Sequence, residues 1–72
     1  MKIRFSRHAF ERIKKRRISE KEVREAVMFG QFRNFQEHGT IKCRYKNKDK
    51  SLIVVYYQDK DQYKIVTAYY ED

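Results

Sequence analysis

The stretch Ile18-Ser19-Glu20-Lys21-Glu22-Val23 decides how this chain is read. Ser19 with Glu22 three residues later is a capping box: the serine hydroxyl accepts the Glu22 N–H, and the glutamate reaches back to the serine N–H. Ile18 and Val23 stand at the positions of a hydrophobic staple, which sets the angle at which the chain enters the helix. A helix therefore begins at Ser19, runs through Val23, Ala26 and Val27, and stops at Gly30, placed as a C′ glycine. Upstream, Ser6 is an N-cap for a first helix from near Arg7 to near Arg17, with Ala9, Phe10 and Ile13 as its narrow apolar stripe. Almost no loop separates the two helices, so they must turn sharply.

Ahead of the first helix, Lys2-Ile3-Arg4-Phe5 alternates and suits a short edge strand. After Gly30 the period changes to two. "QFRNFQE" (31–37) fits a strand loosely. "TIKCRYK" (40–46) alternates cleanly, with Ile41, Cys43 and Tyr45 on one face and Lys42, Arg44 and Lys46 on the other. "SLIVVYYQ" (51–58) is apolar on both faces, as a central strand is, and "YKIVTAYY" (63–70) is the last strand. Turns at 47–50 and 59–62 leave only short links, which imply an antiparallel meander. The expected fold is α+β: two N-terminal helices packed on one face of a three- to four-stranded antiparallel sheet, one domain over residues 1–72.

Composition narrows the function. A chain of 72 residues buries only about 60% of its unfolded surface, so a site should be an open groove or sheet face rather than an enclosed cavity. The net charge is +8, and eight of the basic residues fall in residues 1–18 against one acid, Glu11. Charge gathered on one element points to a polyanionic partner. The lone Cys43 allows no internal disulfide, and the two histidines are scattered without ligand spacing, so no metal or cofactor is expected. No apolar run reaches the length of a membrane span. The expected location is the cytoplasm.

Two helices cover one side of such a sheet and leave the other open. Lys42, Arg44 and Lys46 should line that side, with Tyr56 or Tyr57 and Tyr69 or Tyr70 according to register. Cations interleaved with aromatic rings suit single-stranded nucleic acid, the cations holding phosphates and the rings stacking on bases. The plain alternative is an edge strand kept soluble by its lysines. His8, Arg12 and Arg16 recur every four residues, so one helix face carries a histidine followed by two guanidiniums. A ribonuclease needs a base to activate a 2′-hydroxyl and cations to stabilise charge on phosphorus. The plain alternative for His8 is a packed, hydrogen-bonded residue at the rim of the helix–sheet interface. His38 beside Gly39 reads as a turn, and Cys43 as core.

The segments "SRHAFERIKKRRISEKEVREAV", "LIVVYY" and "IVTAYY" resemble a family of small bacterial proteins known as a domain of unknown function (DUF4258-like), grouped with the RelE, ParE and BrnT toxins. The likeness rests on the pair His8-Ala9, on Arg12 four residues after the histidine, and on Arg16 or Arg17 before Ile18-Ser19. It implies a RelE/ParE-like fold and a site across the sheet and the adjoining helix end. The activity it implies is that of a metal-independent RNA-cleaving toxin. His8 would then be general base or acid, Arg12 and Arg44 would neutralise the scissile phosphate, Tyr69 would orient or protonate, and Thr67 would support. Arg16, Arg17, Lys42, Lys46 and Tyr56 would hold the RNA, on the ribosome or free of it, and an acidic antitoxin-like protein would neutralise the whole. Without the chemistry, the same face makes a binding module for RNA or protein, and a ParE-like gyrase inhibitor is the third reading.

Overall fold

The corner forms as the sequence predicts. In a computed structural model, which describes residues 2–71, the chain runs β1 (Lys2–Phe5), α1 (Arg7–Lys15), α2 (Glu20–Phe29), β2 (Phe32–Phe35), a 3₁₀ turn (Glu37–Gly39), β3 (Ile41–Asn47), β4 (Lys50–Asp59) and β5 (Gln62–Glu71). Ser6 caps α1, its Oγ accepting the Ala9 N–H at 3.1 Å. The helix ends when Ile18 N–H returns to the Ile13 carbonyl and Arg17 N–H to that of Lys14. This is the Schellman arrangement, and its left-handed residue is Arg17, at φ +58°, where glycine is usual. Ile13 and Ile18 are both buried, supplying the apolar contact that accompanies the motif. One residue later the capping box starts α2: Glu22 N–H to Ser19 Oγ at 3.0 Å, and Ser19 N–H to Glu22 Oε1 at 3.1 Å.

The sheet has five strands in the order β1-β5-β4-β3-β2. From β2 to β5 it is the expected antiparallel meander. β1, however, pairs parallel with the first half of β5, from Lys2 opposite Gln62 to Phe5 opposite Ile65. The architecture is thus a mixed five-stranded sheet opened by a strand, not two N-terminal helices on a three- to four-stranded antiparallel one. Tight links reveal only which consecutive strands are neighbours. The β1–β5 pair joins segments sixty residues apart, and a parallel pair needs a long connection, here both helices and the three strands β2–β4. β2, within the stretch that fitted a strand only loosely, forms the opposite edge, its four residues pairing on one side only.

Both helices lie on the same face. Ile41 and Cys43 of β3, Leu52, Val54 and Tyr56 of β4, and Ile65 and Ala68 of β5 form a single buried cluster with Ala9, Ile13, Val23 and Ala26. A bulge makes this possible on β5. Val55 lies opposite Thr67 but Tyr56 lies opposite Ile65, so Val66 is left over and the alternation shifts by one. Ile65 before the bulge and Ala68 after it therefore both face the helices. Gly30 has a different role from the expected C′ glycine. Its φ is −56°, open to any residue, but a Cβ there would sit 2.6 Å from the Ala26 carbonyl oxygen and 3.3 Å from the Cys43 Cβ. It is a close-approach glycine that lets the chain leave α2 against β3.

Two stability measurements follow. Ser19→Ala removes an N-cap and should cost about 0.5–2 kcal/mol in chemical denaturation; an unchanged midpoint would mean the corner is held by something else. Gly30→Ala should cost about 1–3 kcal/mol as an overpacking change, whereas a gain in stability would contradict the close approach.

Candidate functional site

Alternation along the strands sends one set of side chains away from the helices. On β3 these are Lys42, Arg44 and Lys46, lying across from Val55, Ile53 and Ser51. On β5 they are Thr67 and Tyr69, and beyond the bulge Lys64, which sits between Tyr57 of β4 and Arg4 of β1. No helix covers this face, yet Ile53 is only 1% exposed. Its cover comes from side chains of the face itself, Arg44 and Tyr69 being its lateral neighbours. The Arg44 guanidinium reaches across β4 to the Glu71 carboxylate at 2.8 Å, with both side chains partly exposed. Exposed pairs of this kind are worth at most about 1 kcal/mol, so the carboxylate is easily displaced.

The strand order settles the plain alternative for the cations of β3. β3 lies inside the sheet, paired with β2 on one side and β4 on the other. The edges are β1 and β2, so Lys42, Arg44 and Lys46 do not guard an edge. They form a row of charge across an interior strand.

The basic stripe of α1 borders the same face. Arg16 donates from Nη1 to the Ala68 carbonyl at 2.8 Å and to Thr67 Oγ1 at 3.3 Å. β1 has ended by this point, and the guanidinium takes an edge carbonyl that a longer β1 would have paired. On the opposite flank of α1, Phe10 packs edge-on against Phe5, with ring centres 6.4 Å apart. Phe5 belongs to the helix side of the sheet, opposite Ile65, and Thr67 to the open side. Arg16 therefore lies at the margin of the open face, with Arg12 and His8 about one and two turns before it on the exposed side of α1. His8 is exposed rather than packed at the rim, and among the described residues no hydrogen bond orients its ring. Arg12 and Arg17 are exposed too, Arg17 at the turn beyond α1.

One of the sequence assignments changes. Tyr56 is 1% exposed on the helix side, where its hydroxyl accepts from Arg33 Nη1 at 2.8 Å and burial raises its pKa. Tyr57 takes the place on the open face. Lys64, which the sequence did not single out, joins it there beside Arg4.

Sequence reasoning missed two polar features. Arg33 turns inward and donates from Nη2 to the Val27 carbonyl at 2.7 Å as well as to Tyr56, which ties the end of α2 to the sheet. Its signal was position: it alternates in phase with Phe35, opposite Cys43. The second is Glu22, whose free oxygen accepts from the Tyr70 hydroxyl. The Lys50 ammonium lies 5.3 Å from the centre of the Tyr70 ring, and Glu25 and Tyr45 line the same hollow. The Tyr70 hydrogen bond holds Glu22 below the usual carboxylate range. Burial, then the glutamate, push Tyr70 up to about 12. Among the described residues no group of three His, Cys, Asp or Glu side chains is placed to hold a metal ion, and no helix is long and apolar enough to cross a membrane.

The family described as Domain of unknown function (DUF4258) matches residues 5–70. The chain belongs to that family. The match takes in both helices, the close-approach glycine and the open-face residues from Lys42 to Tyr69, and stops just short of Arg4 and Glu71 at the two ends. No curated protein and no solved structure matches the chain.

The Glu22–Tyr70 contact carries a pH signature at both ends. Glu22 has its folded pKa below the ordinary 4.5, so its stabilisation is complete above about pH 4.5 and is lost as pH falls through the folded value. Tyr70 has its folded pKa raised from 10.0 to about 12, so its stabilisation is complete below about pH 10 and fades as pH rises towards 12. In thermal melts across pH, Tyr70→Phe should reduce both falls relative to wild type. Identical profiles for the two proteins would mean the contact contributes nothing.

Proposed function

We propose that the protein binds single-stranded RNA across the open face of its sheet. The observation that carries this reading is the row Lys42, Arg44 and Lys46 on an interior strand, beside Tyr69 and Tyr57 and bordered by the basic stripe of α1. Cations at strand spacing suit successive phosphates, and tyrosines between them offer rings on which unpaired bases stack. An open face without a second layer leaves room for an extended strand. The field of the same surface would draw an acidic, antitoxin-like protein. RNA as ligand and a single buried thiol fit a cytoplasmic protein.

A second reading, cleavage, is favoured by the Arg16–Thr67 contact, which supports bringing His8 and Arg12 to the margin of the RNA path. His8 would take the proton of a 2′-hydroxyl, Arg12 and Arg44 would neutralise the phosphate, with Arg44 exchanging Glu71 for it, and Tyr69 would position the strand and give its phenolic proton to the departing 5′-oxygen. Attack by the 2′-oxygen on its own phosphate breaks the P–O5′ bond, leaving a 2′,3′-cyclic phosphate and a 5′-hydroxyl. This is the activity that the resemblance to the RelE and BrnT toxins suggests.

Fluorescence anisotropy with a labelled single-stranded RNA tests the first reading. Affinity should fall steeply between about 50 and 200 mM salt. Lys42→Glu and Arg12→Glu should weaken it and lower the salt slope by about 1 each, while Lys21→Glu, exposed on α2, should change little. Equal losses from all three would show that only total charge matters, and no binding at the lowest salt would end the proposal. Incubation of the same RNA in EDTA, with His8→Ala as control, separates an enzyme from a binding module. Loss of supercoiling by gyrase without RNA binding would instead favour a ParE-like role.

A further inference from the structure

The edge of the sheet furthest from β1 has another character. β2 is an edge strand, and the bond from Gln36 N–H to the Thr40 carbonyl at 2.8 Å fixes the phase of its ladder. Residues 34 and 36 turn their backbone groups toward β3, so the N–H and C=O groups of Arg33 and Phe35 point outward, unpaired. Edges are usually blunted by charge, proline, a bulge or sheer shortness. β2 is short, at four residues, but carries no lysine or proline, and its one cation, Arg33, is engaged by Val27 and Tyr56 rather than set along the edge. Phe35 is 83% exposed, and with Met28, 49% exposed, it borders a groove floored by Ile41, Tyr56 and Tyr63. Contiguous apolar exposure beside a free edge marks an interaction surface.

Charge selects the occupant. In a chain of net charge +8, residues 25–41 hold only Arg33 against Glu25 and Glu37. An acidic partner is drawn to the basic face, not to this one. A second copy of the chain is repelled by most of the surface and meets least repulsion here.

We propose that two copies pair through their β2 edges, antiparallel about a two-fold axis at Asn34, to form one continuous sheet. Two constraints give this register. Opposed residues must share a face, and the pairs that exchange hydrogen bonds must be the outward-pointing ones. Both hold when Arg33 of each copy faces Phe35 of the other and the two Asn34 residues meet on the axis. Each Phe35 then lies at the mouth of the other copy's groove. The contact is isologous, so it closes at a dimer, and the two open faces fall on the same side of the joined sheet.

Sedimentation equilibrium from low to high micromolar concentration should give a species of about 18 kDa, twice the 9.0 kDa of one chain. Salt should strengthen the dimer by screening the repulsion of two basic chains, the reverse of its effect on a polyanion. Phe35→Lys should raise the dissociation constant by about tenfold or more without moving the melting temperature of the dilute monomer, because the side chain is exposed in the single chain. Asn34→Cys should cross-link on mild oxidation, since an opposed pair without hydrogen bonds brings Cα atoms to about 4.5 Å, within disulfide range; Cys43 is buried and will not compete. A monomer at high micromolar concentration in high salt would overturn the proposal. So would a dimer indifferent to Phe35→Lys, or one that Asn34→Cys fails to cross-link.

Discussion

Glu22 holds together parts of the molecule that have no backbone hydrogen bond in common. One carboxylate oxygen accepts the Ser19 N–H and so begins α2, and the other accepts the Tyr70 hydroxyl and so anchors that beginning to β5. The corner between the helices and the seat of the start of α2 on the sheet both pass through this side chain. Its two partners act on it alike, each favouring the charged form, and this resolves the cost of partly burying a carboxylate. Lys50 over the Tyr70 ring adds a cation on the far side. With the helices fixed on one face by this node, the other face can stay bare.

A bare face in a small domain is a physical compromise. Ile53 must still be kept from water, and with no second layer the cover comes from long neighbouring side chains, whose stems pack while their charged or polar ends remain wet. The cover over the apolar floor and the candidate ligand-binding groups are thus the same residues. Such a surface can rearrange at little cost to the core beneath, because the buried cluster lies wholly on the other side of the sheet. Left-handed backbone falls on charged residues as well as on glycine: Arg17, Lys48 and Lys60 have positive φ, as Gly39 does.

The legible parts of this fold were local. The capping box, the Ser6 cap and the alternation of Ile41, Cys43 and Tyr45 depend on residues within a few positions of each other, and each is found as read. The parallel β1–β5 pair could not be read, because nothing in Lys2-Ile3-Arg4-Phe5 specifies a partner sixty residues away. The bulge at Val66 explains the ambiguity over tyrosines. Strict alternation from Ile65 would turn Tyr69 towards the helices, and the extra residue turns Tyr70 there instead. Tyr56 and Tyr57 were equally undecided in a strand apolar on both faces, and only packing under α2 chooses between them. Within the site, the cations of β3 were legible from their period. The contact between Arg16 and Thr67 was not, since it depends on where β1 stops.

The distance along the chain between β1 and β5 also sets an order of events. A ribosome adds about 5–20 residues per second, so roughly 3–12 s separate the making of Lys2 from that of Gln62. Throughout that interval β1 has no neighbour and α1 has no sheet to lie against, because both rest chiefly on β5. The basic segment from Lys2 to Arg17 is therefore made well before the strand that houses it. Until the final strand is added, those charges belong to an unfolded segment beside the translating ribosome, free to be met by whatever anion or acidic chain is nearest.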